Sequence, residues 1–233
     1  MVRRLISSII IFLSLVGSAS AAPLLLSATS SGTSLNEQIE LLEDVGSQLT
    51  IADMADPTVQ SRFNPANGRA SVGQSLNPWW IKVTLQRTSD APSQWWLEVS
   101  SVTLLDLRLY LPDGNGNWQA RQSGELVAHH EGRDHDFRHM LFKLPPLNPE
   151  PLTFYLRSYD PAGNSFPMRA WQLDQLTHAA AEENLALGVV YGIIAALLLY
   201  NLFIFISLRD SAYFWYVLTT AGALLMILSM SGH

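Results

Sequence analysis

The chain has 233 residues, no cysteine, and 14 basic against 20 acidic residues, for a formal charge of −6. That balance excludes nucleic acid and anionic lipid surfaces as expected partners, and the absence of cysteine excludes a disulfide framework. With 48% apolar and 15% charged residues, the composition accommodates both a packed core and membrane-spanning segments.

Arg3 and Arg4 precede the apolar stretch Leu5 to Val16, and small residues lead up to Ala19-Ser20-Ala21. This is the pattern of a secretory signal peptide over residues 1–21, cut after Ala21 because a cut one residue later would set Pro23 beside the scissile bond. Residues 22–34 are small, polar and unpatterned, and read as a flexible lead-in. Leaving out Arg3, Arg4, Arg209 and Asp210, the exported part carries 11 basic and 19 acidic residues, a balance of −8. A segment near 150 residues buries roughly 70% of its unfolded surface, enough for one core without covalent staples.

Residues 35–174 are expected to form a mainly β, jelly-roll-like sandwich. Asn36 to Asp44 reads as an edge strand, Leu49 to Ile51 as a strand or helix entry, and Asp53 to Val59 as a helical turn around Pro57. Beyond Pro78 the alternation is clear: Trp79, Ile81, Val83 and Leu85 oppose Trp80, Lys82, Thr84 and Gln86. Trp95, Leu97 and Val99 alternate with Trp96 and Glu98, and Leu105, Leu107, Leu109 and Leu111 with Asp106, Arg108 and Tyr110, up to the Pro112-Asp113-Gly114 turn. Asn117 to Ser123, Phe137 to Leu144, Leu152 to Tyr159 and Phe166 to Leu173 complete a set of short strands at sandwich spacing. Residues 175–184 return to helical composition as a short connecting helix, with Asp174 or Thr177 as its N-cap.

Residues 185–208 are apolar apart from Asn201 and long enough to cross a bilayer, and a second apolar run occupies residues 212–231. Arg209 falls in the tight turn between them, which is therefore cytoplasmic. Gly188 and Gly192 form G-x-x-x-G, a surface for close helix packing, and Asn201 is expected to hydrogen-bond across a helix interface.

On the strands, Trp80, Lys82, Trp96, Glu98, Arg108, Tyr110, Tyr155, Arg157, Arg169 and Trp171 point away from the leucine-rich side. Rings rimmed by charged groups suit a carbohydrate, whose C–H faces stack on aromatics while its hydroxyls meet Arg, Lys and Glu. The ligand-binding candidates are Trp80, Lys82, Trp96, Glu98, Tyr155, Arg157, Arg169 and Trp171. The same residues also suit a protein interface, so a dimerisation module without a small ligand, with a homodimer as its simplest form, is the competing reading. His129, His130, His135 and His139 are the densest group of metal-ligand types, but their spacing matches no zinc motif, and a solvated loop is expected instead. No nucleophile elbow, zincin or phosphate-loop motif occurs, so neither an enzyme nor a cofactor is expected. A glycosidase pair of Glu98 and Asp106 is the one catalytic arrangement the strands leave open.

The order of Trp80-Ile81-Lys82, Trp96-Leu97-Glu98-Val99, Leu105 to Tyr110, Ser123-Gly124-Glu125, Arg133 and Phe154 to Arg157 resembles a known bacterial family. So do Leu187-Gly188, Tyr191-Gly192-Ile193, Leu199 to Phe203, Leu208-Arg209-Asp210 and Tyr213 to Leu218. These are the seven-transmembrane receptors with diverse intracellular signalling modules, with their type 2 extracellular domain. The resemblance implies a carbohydrate-binding-like sensor, with residues 22–184 in the periplasm and the helices in the inner membrane. It also implies further helices and a cytoplasmic cyclase, kinase or phosphatase module, so the chain reads as a fragment of a longer product, a truncated gene or a nonfunctional remnant. Lys82 stands where the family usually has Arg.

Overall fold

The computed structural model describes residues 22–101, 104–127 and 137–230. The expected signal peptide, Arg133, and His129, His130 and His135 lie outside the described residues.

The strands are β1 (Leu24–Leu26), β2 (Thr33–Ser34), β3 (Glu40–Glu43), β4 (Asn64–Pro65), β5 (Ser71–Gly73), β6 (Trp79–Arg87) and β7 (Trp96–Val99). They continue as β8 (Asp106–Pro112), β9 (Trp118–Ser123), β10 (Met140–Lys143), β11 (Leu152–Tyr159), β12 (Asn164–Ser165) and β13 (Met168–Trp171). A 3₁₀ turn (Ile51–Ala55) and the one-turn helix α1 (Pro57–Gln60) lie between β3 and β4, and two long helices, α2 (Leu173–Leu208) and α3 (Ser211–Met230), follow β13.

A large sheet runs β4, β3, β6, β11, β8, β9, with β1 pairing in parallel along β6. The facing sheet runs β10, β7, β13, β2, and β5 pairs with β12 as a separate ribbon. Alternation decides which side chains meet between them. Ile81, Val83, Leu85, Leu107, Leu109, Phe154 and Leu156 from the large sheet close on Leu97, Val99, Phe142, Met168 and Ala170 from the small one. Trp95 joins this core and satisfies its indole N–H on Pro92 O at 2.7 Å. The domain is a β-sandwich followed by two apolar helices.

The lead-in departs from expectation. Leu24–Leu26 extends the sheet along β6, Leu26 is fully buried, and Thr33–Ser34 pairs with β13. Three and two residues are too few to show a period, so tertiary pairing alone reveals them. The expected connecting helix is likewise not a separate element. Residues 175–184 are the first turns of α2, which runs unbroken into the apolar segment. Its N-cap is Gln172 rather than Asp174 or Thr177, and the Gln172 side chain donates to Ala28 O and Ser30 O at 2.9 and 3.0 Å.

Gly124 ends β9 at φ +118°, where a Cβ would lie 2.7 Å from Leu105 O and 2.8 Å from Leu104 O. Both obstacles are backbone and neither can rotate away. Gly124→Ala is therefore expected to cost about 2–4 kcal/mol, from dihedral strain plus overpacking. Gly114, at φ +80° with nothing within 4 Å, provides the comparison, and Gly114→Ala should cost about 1–2 kcal/mol. Urea midpoints of the two variants test this. A Gly124 variant no worse than the Gly114 variant would refute the steric account.

The paired helices α2 and α3 are long and apolar enough to cross a bilayer. Leu185, Phe203, Leu208 and Trp215 are all more than half exposed, as lipid-facing side chains must be. Arg209 turns the chain in the left-handed region, and Asp210 Oδ1 accepts from Ala212 N at 2.9 Å to start α3. Among the described residues, the Asn201 side chain bonds within its own helix. Its amide donates to Leu197 O at 2.8 Å, one turn back on its own helix, the nearest acceptor in an apolar setting. Gly188 and Gly192 have nothing within 4 Å of a built Cβ, so no described helix packs on them.

Candidate functional site

The eight candidate ligand residues fall on two opposite faces. On the outside of the large sheet, Tyr155 is paired with Lys82, and Arg157 with Trp80. On the outside of the small sheet, Trp171 is paired with Trp96, and Arg169 with Glu98. Alternation placed all eight off the core, but a sandwich has two outer faces and the sequence does not say which strand joins which sheet.

The chain itself covers the large-sheet face. Met54, Val59 and Phe63, from the 3₁₀ turn, α1 and the residues after it, pack with Leu42 over Trp80 and Tyr155. Trp80 is 0% exposed and stacks on Tyr110 with ring centroids 5.4 Å apart. The Tyr155 hydroxyl accepts from Gln60 Nε2 at 3.0 Å, and burial pushes its pKa up. The charges here answer one another. Lys82 pairs with Glu40 at 3.4 Å and lies 5.9 Å from the Phe63 ring centre. Buried Asp106 accepts from Gln122 at 2.7 Å and Arg108 at 3.1 Å, with Arg157 at 4.0 Å. Trp80 and Tyr155 are therefore covered rings, not an open stacking platform.

The small-sheet face is built differently. Glu98, central on β7 and 5% exposed, accepts from His139 Nδ1 and from Trp171 Nε1, each at 2.5 Å. Burial pushes the Glu98 pKa up, but these two donors and the electrostatic attraction of His139 outweigh it, leaving the carboxyl below its usual range. Trp171 is also wedged against the lead-in, where a Cβ on Gly32 would fall 2.6 Å from its ring. Trp96, Leu141 and Leu176 then form a buried cluster with Trp171 and Phe137 beside it. Leu176 belongs to α2, so the helix that enters the membrane is seated on this face. Arg138 and Glu183 form a salt bridge two turns further along α2.

The large and small faces also separate the one catalytic pair left open by the strands. Asp106 stands on the outer side of β8 with Arg108 and Gln122, and Glu98 on the outer side of β7, with the core between them. They cannot flank a single glycosidic bond. Of the histidine group, His139 is described and is engaged with Glu98. Among the described residues no three His, Cys, Asp or Glu side chains gather as a metal site.

Sequence reasoning missed a cleft of about 680 Å³ at the β3–β4 edge, lined by Glu43, Arg62, Asn64, Arg69, Val72 and Trp79 among others. Its arginines lie outside any alternating run, and only the pairing of β4 with β3 brings them to one place.

Comparison with known proteins covers both halves of the chain. Residues 36–172 match the model of the 7TMR-DISM extracellular 2 domain, and residues 183–233 that of the 7TM diverse intracellular signalling region. No curated protein matches the chain. The first match ends at Gln172, the residue that caps α2. An extracellular-domain match followed by two helices long and apolar enough to cross a bilayer places the sandwich in the periplasm and the helices in the inner membrane. With more than half its length matched by the outer-domain model and a membrane region of the same class behind it, this chain belongs to the 7TMR-DISM extracellular 2 family, as the sensory domain and first helices of a transmembrane signalling receptor.

Proposed function

We propose that the periplasmic sandwich is a ligand-sensing input whose output is a displacement of α2 at its seat on the small sheet. The observation that supports this is Leu176, 2% exposed among Trp96 and Leu141, on a helix that continues without interruption to Leu208. Burying a leucine contributes about 1.5–3 kcal/mol, enough to hold one arrangement and small enough for a ligand to shift. A helix of 36 residues spans about 54 Å and carries such a shift into the bilayer without a flexible joint. A carbohydrate remains the ligand class that the sequence suggests. On the small sheet it would meet exposed Arg169 and half-buried Trp171, whereas on the large sheet it would have to lift the cover over Trp80.

The absence of native cysteine makes a direct test practical. Spin labels at Gln119→Cys and Glu182→Cys, in the full chain in nanodiscs, report the distance between sandwich and helix. A panel of neutral and acidic disaccharides should move that distance for any member that binds. Leu176→Asp should abolish the movement while leaving affinity within about threefold, because the residue lies at the joint and not in a binding cleft. Ligands that bind without changing the distance would sink the relay.

A further inference from the structure

The cleft between β3, β4 and β6 has more donors than the chain uses. The Arg62 guanidinium makes no hydrogen bond or ion pair with any described residue, and that of Arg69 engages only its Nε, on Ala66 O at 3.2 Å. Glu43 is the single carboxylate among the described residues of the wall, and its Oε1 already accepts from Ser75 Oγ at 3.1 Å and Asn77 Nδ2 at 3.0 Å. Trp79 faces Glu43 across the β3–β6 pairing, and its buried indole N–H finds no acceptor among the described residues. A buried donor left unanswered is costly, and two guanidinium groups against one occupied carboxylate leave the wall positive in a chain of charge −6. A volume near 680 Å³ is that of a small-molecule site.

We infer that this cleft binds a small organic anion, a carboxylate- or phosphate-bearing molecule gripped by Arg62 and Arg69, with its body against Trp79 and Val72. The inference rests on the sensory reading above and gives it a ligand chemistry. Arginine suits this task because its planar fork of donors matches an oxyanion. A polyanion is disfavoured by the acidic surroundings, whereas a compact anion inside a concave wall escapes most of that repulsion.

The cleft also has a short connection to the helix. Gly68, beside Arg69, donates its N–H to Asn36 O at 3.1 Å. Asn36 is buried, and its Oδ1 accepts from Met168 N at 3.0 Å, while Leu35 N donates to Met168 O at 3.0 Å. Met168 opens β13, whose last residue, Trp171, immediately precedes the cap of α2. A ligand that pulls Arg69 thus acts on a turn bonded to the strand that feeds the membrane helix.

Calorimetry on the full chain in nanodiscs, with digalacturonate, neutral galactobiose and inorganic phosphate as probes, tests the site. Digalacturonate should bind, more weakly as salt rises, and galactobiose at least about tenfold more weakly. The Arg62→Gln, Arg69→Gln double variant should lose about tenfold or more in affinity for the acidic sugar, as expected for lost charge-assisted bonds. Both side chains are exposed, so its melting temperature should match the parent's and show that the fold is intact. Phosphate binding lost in the same variant assigns recognition to the oxyanion alone, whereas digalacturonate binding without phosphate binding shows that the ring contributes; either supports the site. Equal binding of the neutral and acidic sugars, unchanged affinity in the double variant, or no binding of either anion overturns it. An anion held here that leaves the spin-label distance unmoved would overturn the relay and spare the site. Movement of α2 by another ligand, with no anion bound, would do the reverse.

Discussion

Replacing Trp80 with alanine is expected to destabilise the sandwich by about 3–5 kcal/mol, a large share of the roughly 5–15 kcal/mol that a domain has in total. The ring is fully buried and sits under Met54, Val59 and Phe63, with Tyr110 stacked on it. Its removal leaves a cavity whose walls belong to two layers, the strands of the large sheet and the 3₁₀–α1 cover. The cover has no regular pairing of its own and should lose hydrogen-exchange protection first, over residues 49–63. Urea unfolding followed by near-ultraviolet circular dichroism measures the loss. A shift below about 1 kcal/mol would show that Trp80 is an open surface ring, the role its alternation suggests, and not part of a second core.

Glu98→Ala is expected to cost about 2–3 kcal/mol, because it strips the charged acceptor from both His139 and Trp171 at a buried site. The accompanying pH effect has a definite sign. The folded-state pKa of Glu98 is lowered, so its contribution is fully present above the ordinary glutamate value near 4.3 and is lost as pH falls through the lowered folded value. Melting temperature plotted against pH should therefore drop on the acid side in the parent chain, and drop less in Glu98→Gln, which cannot change charge. Parallel acid limbs would show that the ionised carboxylate contributes nothing. Because Glu98 fixes Trp171 beside Leu176, the alanine variant should also loosen the seat of α2 and raise spin-label mobility at Glu182→Cys.

Much of this molecule is legible in local pattern. The alternation of Trp79 to Arg87 and Leu152 to Tyr159 marks strands that the structure places side by side, because period two is set by backbone geometry alone. The apolar runs after residue 184 announce membrane helices for a similar reason: bilayer thickness dictates length and composition whatever the neighbours are. The family resemblance rests on these same segments, and the matched ranges follow them.

Sheet membership has no local signature, and it is sheet membership that arranged the candidate residues. Lys82 and Tyr155 share one outer face and Glu98 and Trp171 the other, because β6 pairs with β11 while β7 pairs with β13, 69 and 73 positions away when counted from Thr84 to Thr153 and from Glu98 to Trp171. Trp80 and Trp96 are indistinguishable by alternation, yet one lies beneath the 3₁₀–α1 cover and the other against the membrane helix. The cleft at Arg62 and Arg69 was invisible for the same reason, since a two-residue strand such as Asn64–Pro65 carries no period and acquires its position only from β3. Residue type and spacing determined strands, spans and the acidic exterior, all governed by nearest-neighbour geometry and solvent. Which face is covered, which carboxylate is buried and where α2 is seated depended on long-range pairing, whose free energy resides in contacts that no window of sequence contains.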